Sequence, residues 1–274
     1  MIKKMSLFNI ISIILLLYFI ATLTVYFFQR KLLYHPSSPP NFIESTTGKG
    51  LIHKFQKIKI KVNNNINLNG WLHIKDLNKK TILFFHGNAG NLDNRIYKLN
   101  LIGTLDINFL IIAWRGYSGS SGSPTEEGLY EDAESALKFL ASKGINEKDI
   151  IIYGESLGTA IAINVSQNKN FAGIILEAPF TSMIDMGQKY YPFFPVRILL
   201  KDKYESNKKI KNIKSPVLIM HGKKDNIVPF YMGNEMFKLA NNPKFNYFTE
   251  EDDHMMEFNK DLINEVNLFI KKLN

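Results

Sequence analysis

The 274-residue chain reads as an α/β protein: a mostly parallel central sheet with helices on both faces, preceded by an apolar N-terminal helix. Three observations predict this. From Thr81 onward, short apolar runs alternate with longer amphipathic ones, the pattern of strand and helix units wound into one sheet. The short runs are apolar throughout, as strands buried on both faces must be. From Ser6 to Phe28 the chain carries no charge, which is long enough to cross a hydrocarbon core of ~30 Å as a helix.

Lys3 and Lys4 precede this apolar run, and Tyr26-Phe27-Phe28-Gln29-Arg30-Lys31 closes it. A cleaved signal has a shorter apolar core followed by a small-x-small site, and neither is found. Residues 1–30 are therefore expected to stay as a single-pass membrane anchor, with Phe8 and Tyr26 to Phe28 in the interfacial belts. Lys3, Lys4 and the amino terminus slightly outweigh Arg30 and Lys31, which favours the non-cytoplasmic side for the rest of the chain. His35-Pro36-Ser37-Ser38-Pro39-Pro40 cannot continue a helix, so residues 31–52 are expected to be a linker. One domain then fills 53–274.

The formal charge of +9 is spread over short lysine groups such as Lys57/Lys59/Lys61, Lys79-Lys80 and Lys208-Lys209. No long basic run interleaved with aromatics is present, so no nucleic-acid partner is expected, and a basic surface would serve anionic headgroups instead. The chain has no cysteine, which excludes disulfides, thiolate zinc sites and a cysteine nucleophile. No metal or cofactor is expected.

Lys54 to Val62 and Ile66 to Ile74 alternate in strand fashion around Asn63-Asn64-Asn65 and predict a hairpin. Strands are then expected at Thr81–Phe85, Phe109–Ala113, Ile150–Tyr153, Gly173–Leu176, Val217–Met220 and near Phe245–Phe248. Helices are expected at Asn91–Ile102, Glu126–Ala141, Ser156–Gln167, Tyr231–Ala240 and Asn259–Lys272. In such a sheet the reactive groups gather at the carboxyl ends of the strands.

Gly154-Glu155-Ser156-Leu157-Gly158 lies between a predicted strand and a predicted helix. In that context G-x-S-x-G forms a sharp turn that projects the serine hydroxyl beyond the sheet, at a helix N-terminus that favours a developing anion. Ser156 is thus the expected nucleophile. A serine hydroxyl needs a base, and the base needs an orienting acid. Asp225 follows the strand Val217–Met220 and fits the acid; Glu177, at the end of an earlier strand, is the alternative. His254, in the loop before the last helix, fits the base. His86 and His221 lie in His-Gly turns and are read as shaping local hydrogen bonds, while His35, His53 and His73 fall in the linker or hairpin. The order serine, acid, histidine is that of G-x-S-x-G hydrolases. For the oxyanion, the backbone N–H of Leu157 is one expected donor. The second comes from the turn His86-Gly87-Asn88-Ala89-Gly90, with Asn88 preferred and Ala89 the alternative. The glycine-rich stretch from Trp114 to Glu127 lacks the Gly-Lys-Ser/Thr ending of a phosphate loop and is expected to pack beside the site, leading into a helix capped by Thr125.

Five ordered blocks carry a resemblance: His-Gly-Asn-Ala-Gly (86–90), Arg-Gly-Tyr-Ser-Gly-Ser-Ser-Gly-Ser-Pro-Thr-Glu (115–126), Gly-Glu-Ser-Leu-Gly (154–158), Glu-Ala-Pro-Phe-Thr-Ser (177–182) and His-Gly-Lys-Lys-Asp-Asn-Ile-Val-Pro (221–229). Together they resemble the α/β-hydrolase superfamily and, more narrowly, its Bem46-like, often membrane-anchored members, over roughly residues 30 to 274. The resemblance implies an α/β-hydrolase fold with a short cap. It also implies the same roles for Ser156, Asp225, His254, Asn88 and Leu157, and an acyl ester, acyl thioester or lipidated substrate, with peptide cleavage as the alternative reaction and a non-catalytic lipid- or partner-binding scaffold as the non-enzymatic one. Tyr190-Tyr191-Pro192-Phe193-Phe194-Pro195 and Ile198-Leu199-Leu200 occupy the cap position, as an acyl-binding wall or as a packed connection. One departure stands out: Asp252-Asp253 precedes His254 where such relatives commonly have glycine, so its carboxylates are expected to raise the histidine's basicity or to alter its loop.

Overall fold

The structure, a computed structural model, describes residues 6–36 and 48–273. Helix α1 (Leu7–Leu33) opens at Ser6, whose side chain accepts from the Asn9 N–H, and runs for 27 residues, roughly 40 Å at 1.5 Å per residue. It is long and apolar enough to cross a membrane, and none of its most apolar stretch is buried against the rest of the protein. The helix passes the expected boundary at residue 30, because Arg30 and Lys31 in its last turn complement the helix dipole instead of ending the helix. His35–Pro36 then pairs in parallel with Ala89–Gly90, so the first residues of the expected linker are helix and bridge. Its proline-rich part, 37–47, lies outside the described residues.

The sheet is built from β1 (Gln56–Lys61), β2 (Asn67–His73), β3 (Thr81–Phe85), β4 (Asn108–Ile112), β5 (Ile150–Glu155), β6 (Gly173–Glu177), β7 (Val217–Gly222) and β8 (Lys244–Thr249). Their spatial order is β8-β7-β6-β5-β3-β4-β2-β1. The β1–β2 and β2–β4 pairs are antiparallel, and every other neighbouring pair is parallel. β3 through β7 are buried along their whole length, which is why they read as unbroken apolar runs. β1 instead exposes Lys57, Lys59 and Lys61 while burying Ile58 and Ile60. Part of the positive charge therefore lines an outer edge, where lysines discourage pairing with another chain.

Helices α2 (Ile96–Ile102), α3 (Glu126–Ser142), α4 (Leu157–Ser166), α5 (Met183–Tyr190), α6 (Phe230–Leu239) and α7 (Lys260–Lys271) complete the domain, with short helical turns at Val196–Leu199 and Ser206–Lys209. α2 packs on α7, and α3 packs on α4. Thr125 caps α3 as expected, its side chain accepting from the Gly128 N–H. The helix expected from Asn91 starts later: Asn91 and Asn94 form a reciprocal cap on a 3-10 turn, Leu92–Arg95, and α2 follows. β5 and β6 each continue to a glutamate, Glu155 and Glu177, beyond where their apolar pattern ends.

The close crossing of α4 over β3 sets the height of the Ser156 turn. A Cβ on Gly158 would stand 2.0 Å from the Phe85 carbonyl oxygen, so no side chain fits without moving the strand or helix. Gly158→Ala is expected to destabilise the domain by about 3 kcal/mol or more, as overpacking at a backbone contact does, read as a lowered denaturant midpoint. An unchanged midpoint would contradict this packing.

Candidate active site

Ser156 joins β5 to α4 with φ +49° and ψ −116°, a backbone region that side chains rarely adopt and that costs about 1–3 kcal/mol. Three bonds hold it. The Ser156 N–H donates to the Glu177 carbonyl at 2.8 Å, and the Ser156 carbonyl accepts from the Thr159 N–H at 2.9 Å and from Thr159 Oγ1 at 2.6 Å. The Ser156 side chain makes no capping bond to its helix, which leaves its hydroxyl free to turn toward His254.

His254 Nε2 lies 3.0 Å from Ser156 Oγ, and its Nδ1 lies 2.8 Å from Asp225 Oδ2. A carboxylate only accepts, so Nδ1 carries the proton, and in the neutral ring Nε2 accepts from the serine hydroxyl. Asp225 Oδ1 accepts from the N–H groups of Ile227 at 2.9 Å and Val228 at 2.8 Å. His221 Nε2 donates to the Val228 carbonyl at 2.9 Å and also stands 3.1 Å from Asp225 Oδ2. Burial acts to raise the Asp225 pKa, but the bonds from His221, His254 and the Val228 amide outweigh it and hold the carboxyl well below its ordinary range. Glu177, the alternative acid, is instead engaged by Lys98 and Tyr153.

The loop bearing His254 rests on β7, and a Cβ on Gly222 would stand 2.2 Å from the Asp252 carbonyl oxygen. Asp252 accepts from Thr249 Oγ1 at 2.8 Å, and Asp253 Oδ1 accepts from the Met255 N–H at 2.9 Å. Neither carboxylate is bonded to the imidazole. The acidic approach is partly neutralised, Lys223 pairing with Glu250 and Lys224 with Glu251. The departure at 252–253 therefore builds the loop.

The turn after β3 is fixed from several directions. His86 Nδ1 donates to the Gly87 carbonyl at 2.7 Å and its Nε2 accepts from the Trp114 N–H at 3.4 Å. Burial, with Arg95 nearby, lowers the His86 pKa to about 3, so the ring stays neutral with one donor and one acceptor. The bond to the Gly87 carbonyl leaves the Asn88 N–H on the opposite edge of a trans peptide. The Asn88 carbonyl accepts from the His35 N–H at 2.9 Å and from Tyr117 Oη at 2.8 Å, and Asn88 Nδ2 donates to the Leu33 carbonyl at 2.8 Å. Asn88 and Leu157 both line the cavity at Ser156, and Leu157, as the first residue of α4, has no intrahelical acceptor for its N–H. Ala89 is drawn into the bridge with His35 and does not line the cavity.

Beneath the two turns sits a sealed charge cluster. Glu155 Oε1 accepts from Arg95 at 2.6 Å and from the Gly87 N–H at 3.3 Å, and Glu155 Oε2 accepts from Lys98 Nζ at 2.8 Å. Lys98 also donates to Glu177 at 2.5 Å, as does Tyr153 Oη at 2.5 Å. Lys98 is fully buried; burial pulls its pKa down, but the two carboxylates outweigh this and hold it above its ordinary value. Burial would raise Glu155, but Arg95 and Lys98 hold it well below its ordinary value, while Glu177 is raised by burial despite Lys98. The partners are scattered between residues 95 and 177, and no local motif announces them.

Ser156 opens into a cavity of 420 Å³. Phe180, Met183, Met186, Tyr190, Phe194 and Leu199 line one side, so the cap patch is a wall of the cavity as well as a connection. Another part of the lining has no counterpart among the sequence expectations: Val25, Gln29, Leu32 and Leu33 of α1 complete it. Its only sequence signal is that apolar character resumes at Leu32-Leu33 after Arg30-Lys31. Among the described residues no cluster of three or more His, Asp or Glu has the geometry to hold a metal.

Residues 124–267 match the model of the prolyl oligopeptidase family. The chain is 33% identical to the protein bem46 of Schizosaccharomyces pombe over 216 residues, covering 75% of this chain and 72% of that one. It is 32% identical to a lysophosphatidylserine lipase of Danio rerio over 58% of this chain and 47% of the lipase. In fold it is similar to an esterase of Pyrococcus furiosus, with a TM-score of 0.69, 19% identity, and coverage of 88% of this chain and 100% of the esterase.

The charge cluster makes a sharp prediction. Glu155→Gln leaves Arg95 and Lys98 short of a buried counter-charge, and is expected to destabilise the domain by about 3–5 kcal/mol at neutral pH. Because the folded-state pKa of Glu155 is depressed, its contribution is fully present above the unfolded value of about 4.3. It is lost as pH falls through the folded value. The stability gap between wild type and variant, measured by denaturant unfolding, should therefore narrow in strong acid. A gap that widens there would reverse the sign of this linkage.

Proposed function

From a chain that belongs to the α/β-hydrolase superfamily, among its Bem46-like members, we propose a serine hydrolase that cleaves carboxylic ester or thioester bonds through an acyl-enzyme on Ser156. The observation that carries this reading is the unbroken line from Ser156 Oγ through His254 to Asp225, at 3.0 Å and 2.8 Å.

His254 Nε2 takes the hydroxyl proton as Ser156 Oγ bonds to the acyl carbon, and Asp225 keeps the ring aligned and stabilises the imidazolium. The resulting oxyanion faces the N–H groups of Leu157 and Asn88 at the head of α4, where fixed dipoles are already aimed. Collapse breaks the bond to the alcohol or thiol, which leaves with the proton from His254. A water then gives its proton to His254 and attacks the acyl carbon, releasing the acid and restoring the serine.

An acyl substrate is supported by the apolar cavity walls and by the activities for which the similar lipase and esterase are named. The name of the matching family keeps peptide cleavage as the second reading. The domain is further proposed to lie on the non-cytoplasmic side of a membrane crossed by α1, which the charges of Lys3 and Lys4 support.

Ser156→Ala is expected to abolish hydrolysis of short p-nitrophenyl esters and labelling by a fluorophosphonate probe, with an unchanged unfolding midpoint. Asp225→Asn should lower kcat by roughly 10⁴, as removal of the orienting acid does in the chymotrypsin-type triad. Ester turnover surviving in the Ser156→Ala protein would remove the serine from the mechanism. Protease added outside sealed vesicles or intact cells should digest the domain; complete protection would reverse the orientation.

A further inference from the structure

Helix α1 does not simply tether the domain. Tyr18 Oη donates to the Phe193 carbonyl at 2.8 Å, and the Tyr18 and Phe194 rings stack with centroids 6.0 Å apart. Gln29 donates to the Leu199 carbonyl at 3.1 Å and accepts from the Lys201 N–H at 2.7 Å. Arg30 grips both oxygens of the buried Asp202 at 2.8 and 3.1 Å, and the hydroxyls of Tyr34 and Tyr204 meet at 2.7 Å. From Tyr18 to Tyr34, the helix is docked along the cap segment.

That docking sets the depth of the cap. The Lys201 ammonium stands 4.2 Å over the Tyr26 ring, an aromatic–basic pair of the kind that gathers at the headgroup level. Tyr18 is eight residues further toward the N-terminus, roughly 12 Å along the axis. A cap tip that bonds to Tyr18 thus reaches well below the headgroups. The residues there suit it: Phe193 is 84% and Ile198 82% exposed, which in water would be an unfavourable apolar surface. The cavity over Ser156 is bordered there by α1 itself, through Val25, Gln29, Leu32 and Leu33. Its lining runs from Val25 to Leu33 of α1 and on to Asn88.

We propose that the cap tip bearing Phe193 and Ile198 is immersed in the leaflet from which α1 emerges, and that the cavity draws the acyl chain of a lipid ester sideways from that leaflet, along α1, to Ser156. This rests on the serine-hydrolase reading and narrows its substrate to an ester of a membrane amphiphile. The ester bond is cleaved by water, giving the fatty acid and the headgroup alcohol. A chain rising along α1 past Val25, Leu32 and Leu33 stays largely in apolar contact, so it avoids the exposure of roughly 0.8 kcal/mol per CH₂ that passage through water would entail.

The test uses the full chain reconstituted in phosphatidylcholine vesicles, with two probes: bilayer-held 4-methylumbelliferyl palmitate and water-soluble 4-methylumbelliferyl butyrate. The double variant Phe193→Asp/Ile198→Asp is expected to lose more than tenfold in rate on the palmitate while hydrolysing the butyrate within twofold of wild type, since neither residue lines the cavity. Phe193→Trp, which keeps the surface apolar, should show fluorescence quenched by phosphatidylcholine brominated on its acyl chains; Trp71 and Trp114 are buried in the core and add only a constant background. Wild-type palmitate turnover in the double variant, or emission from the Phe193→Trp variant that the brominated lipid leaves unquenched, would overturn the proposal. Failure of the wild-type chain to hydrolyse either ester would instead sink the hydrolase reading beneath it, and the quenching distinguishes the two, because it reports immersion without turnover.

Discussion

Ser156 sits in a backbone conformation that side chains avoid, and the architecture around it serves to hold that one residue. The strain is balanced by neighbours on all sides: a strand carbonyl receives its N–H, a threonine one turn on binds its carbonyl, and a glycine lets α4 close over β3. Immediately below, Glu155, Glu177, Arg95 and Lys98 form two anions and two cations in a space closed to water. Their net charge is zero, which makes burial of so many ions tolerable. The cluster also joins β5, β6, α2 and the Asn88 turn, so the proposed nucleophile and the proposed oxyanion donors share one foundation.

A second layer orients the acid. Asp225 does not depend on His254 alone, because His221 and two backbone N–H groups occupy its remaining lone pairs. An acid so fully bonded has little freedom to rotate away from the imidazole. His221 therefore acts on the site through Asp225, although its place just before the glycine that ends β7 suggests only a local turn.

Much of this was legible in the residues. Unbroken apolar strands, the G-x-S-x-G turn and the order of Ser156, Asp225 and His254 need only local pattern and chain position, and the three side chains meet as that order implied. What escaped reading has a common physical origin. The glutamates that end β5 and β6 look like the start of loops until their buried cations, tens of residues away, are known. The two aspartates before His254 read equally as raising its basicity or as altering its loop, because their partners, Thr249 and the Met255 amide, are ones that only the folded loop supplies. The helix–cap contact is longer in range still: Arg30 and Asp202 each look like ordinary surface charges in one dimension.

That helix–cap contact changes how the molecule must meet a membrane. An untethered spanning helix adapts to a thinner or thicker bilayer by tilting, independently of whatever it carries. Here the C-terminal half of α1 is bolted to the domain by a guanidinium–carboxylate pair, an amide clasp and a pair of tyrosine hydroxyls, and Asp202 also accepts from the Glu126 N–H at the start of α3. Tilting α1 therefore means rolling the whole domain, or loosening a wall of its own cavity. With α1 as a membrane anchor, hydrophobic mismatch, normally a matter between a helix and its lipids, would act as a mechanical load on the cavity at Ser156, and bilayer thickness would be a variable to which that cavity is coupled.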